Sequence, residues 1–355
     1  MRILAFTKYD REAASTRQRL LQYLPALSDA GIEVDYRSLL DDAYVRGLAT
    51  GARASKLAIL SNYGRRLWQL RLARHYDLVW VYAELFPYLP AGFERLVFRS
   101  GRPIVYDFDD AFFVPYETSD NRLVRGLLTD KLKPLIAGAA AATCGNTFLQ
   151  DYARPLCQRT LVVPTVVDTD AYVPVPRPSE TPLTIGWIGS PSTWANVRPL
   201  LPLLERLCAR HGVRVCAVGA GAEAERDRFD GLDLVTWSEA SEIGDVQAMD
   251  IGIMPLLDLP FQRGKSGYKL IQYMACGLPV IASPVGVNSE IVDPANGLLA
   301  TSEAEWETCL ERLIADPALR SSMGAAGRAR AVGFYSLASQ APRLVELFRS
   351  IAGRS

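Results

Sequence analysis

The chain has 355 residues, 49% of them hydrophobic and 22% charged, with Lys+Arg and Asp+Glu equal at 39 each. A length beyond the point at which one core stops growing, with an ordinary globular balance, implies two domains. The neutral balance argues against a protein that coats nucleic acid with its whole surface, and no nucleic-acid partner is expected. The six cysteines contain no C-x-x-C pair and there are only two histidines, His75 and His211, which argues against a Cys/His zinc site and suits a reducing compartment. The first ten residues turn polar too soon for a signal peptide. No apolar run approaches the roughly 20 residues that cross a bilayer. The expected location is cytoplasmic.

Short apolar runs alternate with longer amphipathic stretches. Residues 2–6 form a buried-strand pattern, 16–30 a helical one ended by Gly31, 32–36 a strand, and 44–76 a long helical region. Strand-like runs recur at 77–81, 103–106, 141–144 and 160–163. Four prolines within 172–182 can continue neither element and read as a linker. The pattern then restarts, with strands at 183–188, 213–218, 232–236, 251–254, 279–282 and 297–299, helices at 196–210 and 268–275, and a helical tail from Ser302. Repeated β-α-β order implies parallel sheets covered on both faces. The fold class is α/β with two Rossmann-like domains. Ligands in such folds bind beyond the carboxyl ends of the strands.

Several segments carry candidate chemistry. In 262–283, Lys265, Lys269 and Gln272 are spaced to share one face of a helix that starts near Ser266. Its free amides and two ammonium groups would suit a diphosphate, with Arg263 a further cation nearby. In 185–193 a strand runs into Gly189, Ser190, Ser192 and Thr193, small and hydroxyl residues that let backbone amides approach phosphate oxygens. In 105–113, Asp107, Asp109 and Asp110 follow a buried strand, where crowded carboxylates raise one another's pKa and aid proton transfer. In 14–19, Thr16 caps a helix and Arg17 offers a second anion contact. Gly219 and Gly221 form a flexible strand-to-helix turn and not a dinucleotide fingerprint, since Ala224 stands where a third glycine belongs. Region 43–76 carries Arg46, Arg53, Lys56, Arg65, Arg66, Arg71 and Arg74 and no acid. Such a basic amphipathic surface can rest on an anionic membrane, peripherally on the inner face of the plasma membrane; a solvated helix packed by its apolar stripe is the plainer alternative.

The run 273–283 (YMACGLPVIAS), followed by Gly286, Glu290 and Asn296-Gly297, resembles the donor-site signature of the GT-B glycosyltransferases of family 4. The resemblance is strong over about 183–299 and weaker before it. It implies an N-terminal acceptor-side domain at 1–172, a linker at 173–182, a C-terminal nucleotide-sugar-binding domain at 183–338, and a last helix within 339–355 returning to the first domain, with the two sheets facing a central cleft. The implied activity is hexosyl transfer (EC 2.4), with retention, from a nucleoside diphosphate sugar to an acceptor hydroxyl. The implied setting is polysaccharide or glycoconjugate synthesis with a saccharide or lipid-linked acceptor. The nucleotide sugar is a co-substrate; no cofactor and no metal are expected, although a D-x-D run binds divalent cations in a different glycosyltransferase fold.

By this resemblance Lys265 and Lys269 stabilise the leaving diphosphate, helped by Gly189, Ser190, Ser192 and Thr193. Trp237 and Glu290 belong to the donor site, and Asp109 or Asp110 handles the acceptor hydroxyl, with Asp107, Thr16 and Arg17 on the acceptor side. Family members usually carry two glutamates separated by seven intervening residues on the donor helix, one for the sugar and one for the ribose. Here Gly264 and Gln272 stand in those places, and Gln272 is expected to bond the ribose as an amide. A sugar-nucleotide epimerase on the same fold, or a non-catalytic nucleotide-sugar-binding relative, are the alternatives.

Overall fold

The computed structural model describes residues 1–50, 55–178 and 181–353. These divide into two compact units. Unit 1 comprises Met1–Thr165, Gly264–Ser266 and Gln340–Ser355, and unit 2 comprises Val166–Arg263 and Gly267–Ser339. The chain therefore changes unit at residue 165, ahead of the proline-rich stretch, and the expected linker at 173–182 runs as part of unit 2; Ser179 and Glu180 lie outside the described residues. The C-terminal segment clusters with unit 1.

Unit 1 holds a six-stranded parallel sheet of β1 (Arg2–Tyr9), β2 (Glu33–Leu40), β3 (Leu78–Tyr82), β4 (Ile104–Phe108), β5 (Ala141–Cys144) and β6 (Thr160–Val162), in the order β2-β1-β3-β4-β5-β6. Its central strands are apolar along their length because both faces are covered: Ile3, Leu4, Ala5 and Phe6 have no exposure at all. The helix Leu337–Ile351 covers part of the sheet by setting Phe348 edge-on to Trp80, ring centroids 5.1 Å apart. The expected single helix over 16–30 is instead two, Ala14–Arg19 and Leu24–Asp29, joined by a 3-10 turn at Leu21–Tyr23. Pro25 is the cause, since it has no N–H for an intrahelical bond and opens the second helix instead. The helical region expected over 44–76 forms helices Asp42–Thr50 and Lys56–Gln69 and a 3-10 segment Leu70–His75, with 51–54 outside the described residues.

Unit 2 holds β7 (Thr184–Ile188), β8 (Arg214–Val218), β9 (Leu232–Val235), β10 (Ile251–Met254), β11 (Val280–Ala282) and β12 (Gly297–Leu299), in the order β12-β11-β10-β7-β8-β9. Counted within the unit this is the 3-2-1-4-5-6 order of dinucleotide-binding sheets, and its strand order reverses between β7 and β10. Alternate residues face opposite sides. Ile185, Trp187, Val215, Ala217 and Ile253 pack with Leu203, Leu207, Trp306 and Leu310, whereas Ile188, Val218, Met254 and Val280 pack with Leu270, Ile271 and Met274.

The pairing of β7 with β10 stops at Gly186 and Gly252. Beyond it the Ile188 N–H donates to the Tyr273 hydroxyl at 2.9 Å, and that hydroxyl in turn lies 3.4 Å from the Ile253 carbonyl. Tyr273 thus fastens helix Tyr268–Ala275 to both strands where they diverge. We predict that Tyr273→Phe, which orphans a buried N–H, lowers the unfolding free energy by about 1–3 kcal/mol. Urea denaturation checks this, and an unchanged midpoint and slope would contradict it.

Candidate functional site

In unit 2 the loop after β7 is built from small residues because other backbone crowds it. The Gly189 N–H donates to the Val218 carbonyl at 2.9 Å, and Gly219, at φ 78°, leaves room for the Gly189 carbonyl that a side chain would strike. The Ser190 N–H donates to Thr193 Oγ1 at 3.0 Å, and Ser190 Oγ lies 3.0 Å from Ser192 Oγ. This short, Pro191-started helical turn leaves Ser190 and Ser192 exposed and Thr193 half-buried at the carboxyl end of β7. The adjoining indole of Trp187 carries the Lys269 ammonium 5.7 Å from its ring centroid and also abuts Gly189. Lys269 and the hydroxyl loop therefore border one aromatic ring at the reversal point of the sheet.

The next neighbours complete a chain of contacts. Trp237, at the end of β9, packs against Gly219 and donates its indole N–H to Glu242 Oε2 at 2.6 Å. Gln272 is buried, and its amide donates to Glu242 Oε1 at 2.9 Å and to the Tyr172 hydroxyl at 3.0 Å. Tyr172 itself donates to Glu242. The Gln272 NH2 group is thus engaged within the protein, and the half-buried carboxylate beside it is Glu242. No spacing rule pointed to Glu242, because it reaches Gln272 through tertiary structure alone. Glu290 is exposed on the short helix Asn288–Ile291, and its carbonyl accepts from Arg330.

The basic helix face expected at 265–272 is also corrected. The helix begins at Tyr268, after Gly267 at φ 69°, where a side chain would strike Ile291. Lys265 precedes it in non-helical backbone and clusters with unit 1, where its ammonium lies 3.9 Å from Asp110. Buried Asn146 fixes this segment by donating to the carbonyls of Gly264 and Lys265 at 3.2 and 3.0 Å, while its own oxygen caps the helix that starts at Thr147. Arg263 is held bidentately by Asp258 at 2.7 and 3.0 Å.

In unit 1 the three aspartates separate into different environments. Asp107 is buried and accepts from the Arg19 guanidinium through both oxygens and from Thr143 Oγ1 at 2.6 Å. It serves as the counter-ion of Arg19. Burial opposes the Arg19 charge, but Asp107 more than offsets this and holds the guanidinium pKa above its ordinary value. Asp109 is buried under the Tyr82 hydroxyl at 2.7 Å and Thr165 Oγ1 at 3.1 Å. Asp110 is the partly exposed member, near Lys265. Among the described residues no group of three His, Cys, Asp or Glu side chains is gathered to cage a metal. Segment 14–19 reaches these aspartates through Arg19, not Arg17. Arg17 donates to the carbonyls of Arg11 and Glu12 at 3.2 and 2.8 Å, and Thr16 donates to that of Tyr9 at 2.9 Å.

The chain is similar in sequence and fold to other proteins. A family model described as "Glycosyl transferases group 1" matches residues 182–316. A D-inositol 3-phosphate glycosyltransferase of Arthrobacter sp. (strain FB24) is 36% identical over 94 residues, 26% of this chain and 21% of that protein. The match thus spans about a fifth of that relative's length. Among solved structures, sucrose-phosphate synthase from Thermosynechococcus elongatus aligns over 100% of both chains with a TM-score of 0.75 at 17% identity. Anabaena Alr3699/HepE in complex with UDP-glucose aligns over 99% of this chain and 100% of its own, with a TM-score of 0.73 at 16% identity. At such identities the likeness is one of fold, the GT-B architecture. The matched stretch contains the 189–193 loop, Trp237, Glu242, Lys269, Gln272 and Glu290.

One buried charge near the carboxyl ends of the first sheet generates a pH prediction. Glu84, just past β3, accepts from Lys131 at 2.8 Å and from the Tyr116 hydroxyl at 2.6 Å. Burial pushes its pKa up, but Lys131 and Lys8 pull it down further, leaving it below its ordinary 4.5. A depressed carboxylate contributes stability above its unfolded pKa and loses it as pH falls through the folded one. Glu84→Gln should therefore cost about 1–3 kcal/mol at pH 7. The gap from wild type should shrink as pH falls below 4.5. Denaturation at stepped pH reads this, and a gap that widens towards acid would contradict it.

Proposed function

We propose that the chain is a retaining glycosyltransferase that moves a sugar from a nucleoside diphosphate sugar to an acceptor hydroxyl in polysaccharide or glycoconjugate synthesis, working at the inner face of a membrane. The observation that carries this reading is the reversal point of the second sheet, where the 189–193 loop and Lys269 border the Trp187 ring. Hydroxyls and an ammonium group gathered beyond strand ends suit a diphosphate. The family match over 182–316 and the UDP-glucose complex of Anabaena Alr3699/HepE support the same donor class.

Breaking the bond from sugar to phosphate leaves negative charge on the diphosphate. Fixed cations and amides stabilise that charge more than water does, because they need not reorganise as it develops. In this reading Lys269 and the hydroxyls of Ser190, Ser192 and Thr193 take the phosphates. The base lies beside Trp237, and the ribose meets Glu242, whose carboxylate Gln272 and Tyr172 hold in place. In unit 1, Asp110 orients the acceptor hydroxyl, with Lys265 as its neighbouring cation. Asp109 is held in the framework by Tyr82 and Thr165.

Lys269→Ala should lower the transfer rate at least roughly tenfold, the loss of about 1.4 kcal/mol of transition-state stabilisation, with the thermal midpoint unchanged. Steady-state kinetics with a UDP-sugar checks this, and the anomeric proton signal of the product reads retention. A variant of near-wild-type rate would remove the diphosphate role from Lys269, and an inverted product would overturn the retaining assignment.

A further inference from the structure

Helix Lys56–Gln69 is turned the opposite way from an ordinary amphipathic helix. It buries Arg66 and Gln69 against unit 1 and exposes Leu57 (78%), Leu60 (69%) and Trp68 (59%). Arg66 donates to the Thr7 and Arg37 carbonyls at 2.7 and 3.2 Å and lies 4.7 Å from the Phe6 ring centroid, so it serves as an internal bolt. Burial lowers its pKa to about 9. Arg46 is paired with Glu12, and Arg53 lies outside the described residues.

The exposed apolar side opens into a groove of about 730 Å³. One wall is Ile59, Leu60, Tyr63 and Leu67 of this helix; the other is Phe86 to Leu89 and Phe93, in the chain that follows β3. That second wall is stiff. The Tyr63 hydroxyl donates to the Pro87 carbonyl at 2.6 Å, and Lys131 donates to the Phe86 carbonyl at 2.9 Å. Leu67 also lines a second concavity of about 370 Å³, where Arg71, Arg74 and Arg99 surround Leu70 and Leu96. An apolar trough and a cationic cup therefore share one side chain. Residues 55–103 contain three acids, Asp77, Glu84 and Glu94. The last two are buried against Lys131, so the outer charge of this face is positive.

A contiguous apolar patch rimmed by cations marks an interaction surface, and the rim's sign selects an anionic occupant. We propose that this face docks on the surface of an anionic phospholipid bilayer, with a lipid hydrocarbon chain in the 730 Å³ groove and its phosphate over Arg71, Arg74 and Arg99. This deepens the reading of the chain as a membrane-surface transferase by placing the lipid on the acceptor-side unit.

The test is flotation of the full chain with phosphatidylcholine vesicles, with and without 30% phosphatidylglycerol, at low and high salt. Three proteins are compared: wild type, Leu60→Ser with Trp68→Ser, and Arg71→Ala with Arg99→Ala. All four positions are at the surface, so unchanged circular dichroism is expected. Wild type should bind the anionic vesicles and release with salt. The arginine pair should bind at least roughly tenfold more weakly, and the Leu60/Trp68 pair should lose most binding even at low salt. Equal binding to neutral and anionic vesicles, or no binding, overturns the proposal. So does a wild-type dimer in light scattering that the Leu60/Trp68 change dissociates, since a second copy would then be the occupant. A thermal shift with UDP is measured on the same three proteins. A retained shift without flotation sinks the lipid site alone, and flotation without any nucleotide shift sinks the transferase reading alone.

Discussion

The candidate donor site depends on one constraint, the parting of β7 and β10 at their carboxyl ends. Parallel pairing stops at Gly186 and Gly252, and the backbone beyond would carry an unsatisfied N–H at Ile188. Tyr273 supplies the missing acceptor and brings helix Tyr268–Ala275 with it. That placement sets Lys269 over Trp187 and Gln272 against Glu242. The loop at Gly189 can then sit close because Gly219 offers no side chain to obstruct it. Each element of the site follows from how this opening is closed with hydrogen bonds, since buried backbone groups must find partners.

Unit 1 resolves the equivalent problem with charge. Arg19 ties the end of β4 to its opening helix through Asp107 and reaches the Val163 carbonyl at 2.7 Å. Lys131 gathers Glu84, Glu94 and the Phe86 carbonyl. Buried pairs of this kind add little net stability against apolar replacements, but removing one partner is costly, so they hold a unique arrangement. Ala83, between these networks, sits at φ 63°, an unfavourable conformation for a residue with a side chain. Its N–H donates to the Asp107 carbonyl at 2.8 Å and its carbonyl accepts from Tyr106 at 3.0 Å, and these bonds hold it there.

The strands were legible in the sequence because a sheet covered on both faces demands unbroken apolar runs, and such runs are local. The 189–193 turn was legible for a similar reason: Gly and hydroxyl residues at a strand end favour a tight turn and a capped helix start. Helix limits were less so. Pro25 and Gly267 set them, and both residues were visible, but their effect competes with an otherwise helical pattern. Side-chain partners were least legible. The DFDD run promises three like carboxylates, yet Arg19 claims the first, Tyr82 and Thr165 the second, and only Asp110 keeps partial exposure. The periodicity of 56–69 points its leucines inward, but Arg66 finds two carbonyls and an aromatic face beneath it and takes the inner position. Composition holds no record of such partners, because they lie tens of residues away.

The most direct test of the account is hydrogen exchange of the full chain, read by mass spectrometry with and without saturating UDP, GDP or ADP. One of these nucleotides is expected to slow exchange in peptides covering 189–193 and 267–272, with a smaller effect at 236–242. Absence of protection with all three, or protection confined to unit 1, would contradict a donor site at the opening between β7 and β10.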